Sequence, residues 1–185
     1  MVESTHPRAA TAAAAALATD SRRERHVRWA DPLATLQRAA EMSREEMLVA
    51  LTSGELPRPP IAELLGIDAI EASQGHAVFG LRPSECHSNP LGSVAAGVTA
   101  TVLDAAMWLA VQTRVPDSTI VSTVALTQHL VRALPTAAGY VRAQATAVHV
   151  GARTATAEAR LIDDDGKLYC HATAGFHCAS FGSAM

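Results

Sequence analysis

The chain has 185 residues, of which 49% are hydrophobic and 4% aromatic, and it carries a formal net charge of −3. This size and composition fit one compact domain with an appendage better than two full domains. The weakly acidic balance argues against nucleic acid or an anionic membrane surface as a partner, and no apolar run reaches the roughly 20 residues that span a bilayer.

The N-terminal residues 1–28 are low in complexity, alanine-rich at first and then arginine-rich. They contain too few large apolar side chains to offset the entropy of ordering, which predicts a disordered or loosely helical tail. The alanine run has only a weak basic start and a basic segment follows it, so it is interpreted as a cytosolic tail rather than a secretory signal.

Residues 29–58 are predicted to form a helical extension and a linker. Asp31 is a candidate N-cap, proline follows at the first helical position, and Gly54 ends the apolar pattern, which is typical of one or two amphipathic helices. The segment "ELPRPP" then favours a stiff linker.

Residues 59–180 are predicted to form the main domain. "IAELLG" favours a short helical turn, and "IDAIEAS" and "HAVFGLR" favour two strands about a "QG" turn. A long apolar helix is expected from about Ser93 to Thr113, followed by strands at 119–133, 139–150, 153–162 and 167–178. The pattern predicts an α+β fold in which a long central helix is wrapped by five or six antiparallel strands.

Alternation within the strand at 139–150 predicts one buried face and one exposed face. The set expected on one face is Val141, Ala143, Ala145, Ala147 and His149.

The predicted helix contains one carboxylate, Asp104, in a long run of small and apolar residues. Helical spacing places it on a stripe with Gly97, Ala100, Met107 and Trp108. A buried carboxylate without a basic neighbour is costly and its pKa rises, so the position requires a partner, solvent or a function. A structural hydrogen-bond network or a wet subunit interface is the alternative from composition alone. Met107 and Trp108 are interpreted as core, with the acyl end of a pocket as the second possibility.

The segment "HSNPLG" brings polar residues close to the start of the same helix, where free N–H groups can stabilise a developing oxyanion. The histidines and cysteines lack the short spacings of zinc sites, and no metal site is predicted. Cys86, Cys170 and Cys178 contain no CxxC pair and leave one thiol unpaired in any disulfide scheme. Structural thiols in a reducing cytoplasm are therefore expected.

The segment "HSNPLGSVAAGVTATVLDAAMWLAV" resembles the signature of hotdog-fold acyl-CoA thioesterases of the phenylacetyl-CoA and 4-hydroxybenzoyl-CoA type. The order and spacing of the asparagine, the glycine turn, the helix start and the aspartate all match. "STVALTQHLVRAL" and "VHVGARTATAEARLIDDDGKLYCHATAGF" resemble the closing strands of the family. The resemblance covers about residues 60–178 and implies a hotdog fold.

The resemblance also implies roles for individual residues. Asp104 would act as general base on water or as nucleophile on the thioester, and Asn89 would orient the thioester or the water. The backbone N–H of Ala96, with that of Gly97, would form the oxyanion hole. Ser122, with Thr123 as the next candidate, would help to place the water.

The family's site lies between subunits, so the resemblance implies a homodimer in which Asp104 and Asn89 come from opposite chains, with a dimer of dimers plausible. Coenzyme A is part of the substrate, and no metal or redox cofactor is required. Arg153 occupies a turn where relatives often place a base near the nucleotide, and Arg132 is a second candidate.

One position departs from the family pattern. Where the pattern reads H-G-G, this chain reads Ala95-Ala96-Gly97, so the histidine side chain is missing while the N–H groups remain. The predicted function is hydrolysis of aromatic or medium-chain acyl-CoA thioesters. The alternatives are a non-catalytic hotdog protein that binds acyl-CoA or serves as an assembly module and, more weakly, a dehydratase, which would need a histidine near the helix.

Overall fold

The computed structural model describes residues 22–117 and 119–180. Residues 1–21 of the predicted tail lie outside the described residues. The extension forms helices α1 (Pro32–Ala40) and α2 (Arg44–Ser53), and α3 (Pro60–Leu65) follows the linker. The Asp31 carboxylate caps α1 by accepting a bond from the N–H of Leu33 at 2.8 Å. Helix α2 begins with a reciprocal capping box and ends at a left-handed glycine.

Six antiparallel strands follow as one sheet in the order β1-β2-β4-β5-β6-β3. The strands are β1 (Ile67–Ser73), β2 (His76–Leu81), β3 (Thr119–Leu130), β4 (Val141–Val150), β5 (Thr154–Asp163) and β6 (Leu168–Ser180). The long helix α4 (Ala96–Gln112) packs against all of them. This confirms the predicted α+β hotdog fold. The observed helices and strands begin and end within a few residues of the predicted positions.

The core lies between α4 and the inner face of the sheet. Val102, Leu103 and Met107 of the helix are fully buried there. The predicted alternation of β4 is correct from Val141 to Ala147 and wrong for His149. A β-bulge between Ala147 and His149 shifts the register, so His149 pairs with Thr156 and is exposed.

Strand β3 contains a second bulge, between Thr123 and Ala125. Before the bulge, Thr123 pairs with the buried Phe176 and faces α4; after it, Gln128 pairs with the buried Ala172 and also faces α4. Thr123 and Gln128 are separated by an odd number of positions, so regular alternation would place them on opposite faces. The bulge therefore allows both side chains to face the helix.

Arg44 fastens the helical extension to the loop between α4 and β3. Its guanidinium donates to the carbonyl oxygens of Pro116 at 2.9 Å and Thr119 at 3.4 Å, and its backbone N–H donates to Asp117 Oδ1 at 3.1 Å. These hydrogen bonds hold the extension against the domain, and they end on residues that follow α4 rather than on α4 itself.

Among the described residues, no helix is both long enough and apolar enough to cross a membrane.

Candidate active site

Asp104 lies in the middle of α4 and is partly buried. Its Oδ1 accepts a hydrogen bond from Thr123 Oγ1 at 2.9 Å. Burial raises the pKa of the carboxyl group, and the bond from Thr123 offsets part of that rise because it stabilises the charged form. Within residues 22–117 and 119–180, no side-chain or backbone donor contacts Oδ2. Among these residues, Thr123 orients one carboxylate oxygen, and the other oxygen has no donor and can accept a proton.

The register of β3 places Ser122 and Thr123 on opposite faces of the sheet. Ser122 pairs with His177 and faces the outer, exposed side of the sheet. Successive side chains of a strand point to opposite faces, so Ser122 points away from Asp104 while Thr123 contacts it.

The start of α4 presents unoccupied backbone donors. Ala95 is the N-cap, with φ −63° and ψ 142°, and no side chain caps the helix there. Its carbonyl accepts from the N–H of Val98 at 3.0 Å, and its own N–H donates to the His87 carbonyl at 2.8 Å. Ala96 and Gly97 are exposed, and in the described part of the chain their N–H groups contact no acceptor. A helix N-terminus of this kind stabilises negative charge.

Two residues that the sequence analysis missed hold this helix start. Gln128 Nε2 donates to the Ala96 carbonyl at 2.8 Å. The Thr99 hydroxyl, on a side chain only 1% exposed, lies 2.9 Å from the same carbonyl and 3.1 Å from Gln128 Oε1. A glutamine in a strand pattern of Val, Ala, Leu and Thr is the signal that could have identified the contact.

Asn89 shapes the loop before α4. Its Oδ1 accepts from the N–H of Leu91 at 2.9 Å and of Ser93 at 3.3 Å, and its Nδ2 donates to Ser93 Oγ at 2.9 Å. An amide nitrogen carries two hydrogens, so Nδ2 retains donor capacity beyond the bond to Ser93.

Asn89 and Ala96 lie in the same cavity of one chain, whereas Asp104 lies outside it. Asn89 and Ala96 line a cavity of about 360 Å³, and Arg132 and the buried Cys170 line it too. Asp104 follows Ala96 by eight residues, which is about 12 Å along a helix at 1.5 Å per residue. A single thioester carbonyl cannot lie within hydrogen-bond reach of both positions.

Arg132 and Arg153 lie at opposite ends of β6. The Arg132 guanidinium donates to the Leu168 carbonyl at 2.6 Å, and the Arg153 carbonyl accepts from the N–H of Cys178 at 2.9 Å. Residues 168–178 of an extended strand span about 30 Å. Within one chain the two guanidinium groups therefore serve different regions.

The other residues singled out in the sequence lie in different surroundings. Met107 is fully buried in the core, while Trp108 is partly buried and its Nε1 donates to the Val121 carbonyl at 3.1 Å. His129 and His171 are exposed on the outer face as a stacked cross-strand pair, with ring centroids 5.0 Å apart. Among the described residues, no group of three or more His, Cys, Asp or Glu side chains is placed to hold a metal ion.

Part of the chain matches a known protein family. Residues 91–170 match the family model described as thioesterase superfamily. The chain is 29% identical over 111 residues to the 1,4-dihydroxy-2-naphthoyl-CoA hydrolase of Listeria monocytogenes, which covers 60% of this chain and 88% of that protein. The family match begins just before α4 and ends within β6, so it includes Asp104 and Thr123 and begins two residues after Asn89.

Solved structures of thioesterase-related proteins are also similar to this chain. A crystal structure of a protein from the thioesterase superfamily is 30% identical, with a TM-score of 0.59, and covers 72% of this chain and 97% of that chain. A mutant of the phenylacetic acid degradation protein PaaI from Thermus thermophilus is 28% identical, with a TM-score of 0.58, and covers 64% of this chain and 98% of that chain. The matched proteins are thus aligned over nearly their whole length.

Proposed function

We propose that this chain, which belongs to the thioesterase superfamily, hydrolyses acyl-CoA thioesters to a free acid and coenzyme A. The observation that carries the proposal is the state of Asp104: a partly buried carboxylate with a raised pKa, oriented by Thr123 through one oxygen only. A general base with a raised pKa is well matched to removing a proton from water near neutral pH.

The chemistry requires a base, an oxyanion site and a leaving thiolate. In the proposed reaction, Asp104 takes a proton from water, and the resulting hydroxide attacks the thioester carbonyl. The N–H groups of Ala96 and Gly97 hold the tetrahedral oxyanion. Collapse of this intermediate breaks the C–S bond, and the thiolate of coenzyme A leaves and takes up a proton. Direct attack by the Asp104 carboxylate, followed by hydrolysis of the anhydride, is the second route to the same products.

The proposed site is completed by a second copy of the chain. The distance of about 12 Å between Ala96 and Asp104 along one helix supports a site in which one protomer supplies Asp104 and its partner supplies Asn89 and the helix N-terminus. Strand β3 supports the same conclusion, because it is an edge of the sheet and exposes Val124 and Leu130. An unpaired apolar edge of this kind favours pairing with another copy. We therefore propose a homodimer, and a dimer of dimers is compatible with it.

The relatives suggest which acyl groups to test first. One is named for 1,4-dihydroxy-2-naphthoyl-CoA and another for phenylacetic acid degradation. Both names refer to aromatic acids, so we propose an aromatic acyl group, with medium chains as the second class. Trp108, partly buried one helical turn beyond Asp104, is a candidate contact for that group.

The remaining features of the proposal concern coenzyme A and its environment. Arg132 and Arg153 are proposed to contact its phosphates, each in a different region of the surface. The reaction as written uses water and protein groups and calls for no metal or redox cofactor. Cys86, Cys170 and Cys178 are free thiols, which supports a cytoplasmic location.

The test is release of free thiol from a panel of aromatic, short-chain and medium-chain acyl-CoA esters, with Asp104→Asn as the matched variant. Turnover that falls at least about a hundredfold in the variant supports the proposal. Turnover that persists in Asp104→Asn would exclude Asp104 as the base. Tight acyl-CoA binding without turnover in the native protein would instead favour a thioester-binding protein, the role suggested by Ala95 at the helix N-cap.

A further inference from the structure

Gln128 of β3 contacts the start of α4, where the candidate oxyanion donors lie. Its Nε2 donates to the Ala96 carbonyl at 2.8 Å, and its Oε1 lies 3.1 Å from the Thr99 hydroxyl. That hydroxyl is also 2.9 Å from the Ala96 carbonyl. The three groups form a closed triangle around one backbone oxygen, with Thr99 almost wholly buried beneath it.

The carbonyl that Gln128 holds belongs to the same peptide unit as the N–H of Gly97. A peptide group is planar, and its C=O and N–H point in opposite directions. A bond that fixes the direction of the Ala96 carbonyl therefore also fixes the direction of the Gly97 N–H. Donation to the oxygen also polarises the unit and strengthens its N–H as a donor.

Gln128 adds a contact from outside the helix to the hydrogen bonds that α4 makes within itself. Ala95 has no side chain that can cap the helix, and the peptide between Ala95 and Ala96 is held by the helix's own N–H of Val98. The carbonyl of the next peptide, between Ala96 and Gly97, belongs to the first helical residue and also accepts bonds from Gln128 of β3 and from the Thr99 hydroxyl. The N–H groups of Ala96 and Gly97 thus each belong to a peptide whose carbonyl accepts a hydrogen bond. One of these bonds comes from β3, the strand that also orients Asp104.

We propose that Gln128 is a positioning residue for thioester hydrolysis, which directs and polarises the Gly97 N–H toward the oxyanion. This inference rests on the proposed function. Removal of an oxyanion donor itself costs about a hundred- to a thousandfold in kcat. Loss of Gln128 leaves the donor present but less well directed, so we expect kcat to fall about ten- to a hundredfold.

The experiment compares Gln128→Met and Gln128→Ala with Thr127→Ala in the full chain, on the best acyl-CoA substrate. Methionine keeps the length of the side chain and removes the donor. Thr127 is exposed on the outer face next to Gln128 and serves as the control. We expect both Gln128 variants to lower kcat, with KM changed less than about threefold and the acidic limb of the pH profile unmoved, because Asp104 keeps its partner.

Two outcomes would overturn the inference: a folded Gln128→Met protein with native kcat, or a loss that appears in KM alone. The amide resonance of Gly97 gives a readout that does not depend on turnover. It is expected to move upfield in Gln128→Met and to stay in place in Thr127→Ala; an unchanged Gly97 resonance in Gln128→Met also contradicts the proposal. Loss of activity in Asp104→Asn combined with full activity in Gln128→Met would reject this inference while leaving the proposed function intact.

Discussion

Replacing Thr123 with valine removes the one hydrogen-bond donor that contacts Asp104 among the described residues, while it keeps the shape of the side chain. The hydroxyl stabilises the charged carboxylate and therefore lowers its pKa against the effect of burial. Without it the pKa of Asp104 rises further, a larger fraction of the base is protonated in mild acid, and the acidic limb of kcat/KM moves to higher pH.

The size of the effect follows from the strength of one hydrogen bond. A bond to a charged group contributes about 1.5–3 kcal/mol; since Thr123 is exposed in the chain, we take the lower end, about 1.5 kcal/mol. Because about 1.4 kcal/mol corresponds to a factor of ten, kcat/KM below the limb falls about tenfold. Above the limb, where Asp104 is ionised in both proteins, it changes less than about threefold.

The assay is kcat/KM for the best acyl-CoA substrate across the acidic and neutral range, for Thr123→Val beside two controls. Thr123→Ser keeps a hydroxyl and is expected to keep the native profile. Ser122→Ala removes a hydroxyl from the outer face of the same strand and is expected to have no effect at any pH. A uniform loss at every pH in Thr123→Val, or an equal loss in Ser122→Ala, would refute the reasoning.

Three further predictions concern stability and thiol reactivity. A Cβ at Gly80 would lie 1.8 Å from the Tyr140 hydroxyl, so Gly80→Ala is expected to cost about 2 kcal/mol, or about 4–8 °C in Tm. Adding Tyr140→Ala should remove most of that clash, and additive losses would contradict it. Because burial raises the pKa of Asp104, its ionisation opposes folding; Asp104→Asn should raise Tm by a few degrees at neutral pH, with the gain lost below about pH 4. A variant less stable than the native protein at neutral pH would contradict that sign. In mass-spectrometric labelling at neutral pH, Cys86 should react first, because Cys170 is buried and has a pKa of about 11; equal rates in the folded protein would be inconsistent with its burial.

Most of the secondary structure could be predicted because hydrophobic periodicity is a local property. The helix expected at about Ser93 to Thr113 forms from Ala96 to Gln112, and the four strands after it form close to their predicted limits. The capping signals at Asp31 and Gly54 likewise mark the two ends of the extension's helices. These features depend on residues only a few positions apart.

The faces of the strands were harder to predict than their existence. Alternation is exact only while the ladder is regular, and one extra residue reverses it. The bulge in β4 turned His149 outward, against the prediction, and the bulge in β3 brought Gln128 to the helix side. A bulge is set by the pairing of two strands, so a single strand's pattern does not reveal it.

The sequence by itself determined that a lone carboxylate, Asp104, would occupy an apolar helix whose first N–H groups are free, because helical spacing and helix termini are local properties. Only the tertiary structure decided that Thr123 rather than Ser122 contacts Asp104, and that Gln128 holds the start of α4. Both contacts join α4 to a strand more than fifteen residues away, and the bulge between Thr123 and Ala125 allows one strand to make both. Long-range contacts of this kind arise from packing, where one inserted residue decides which side chains meet.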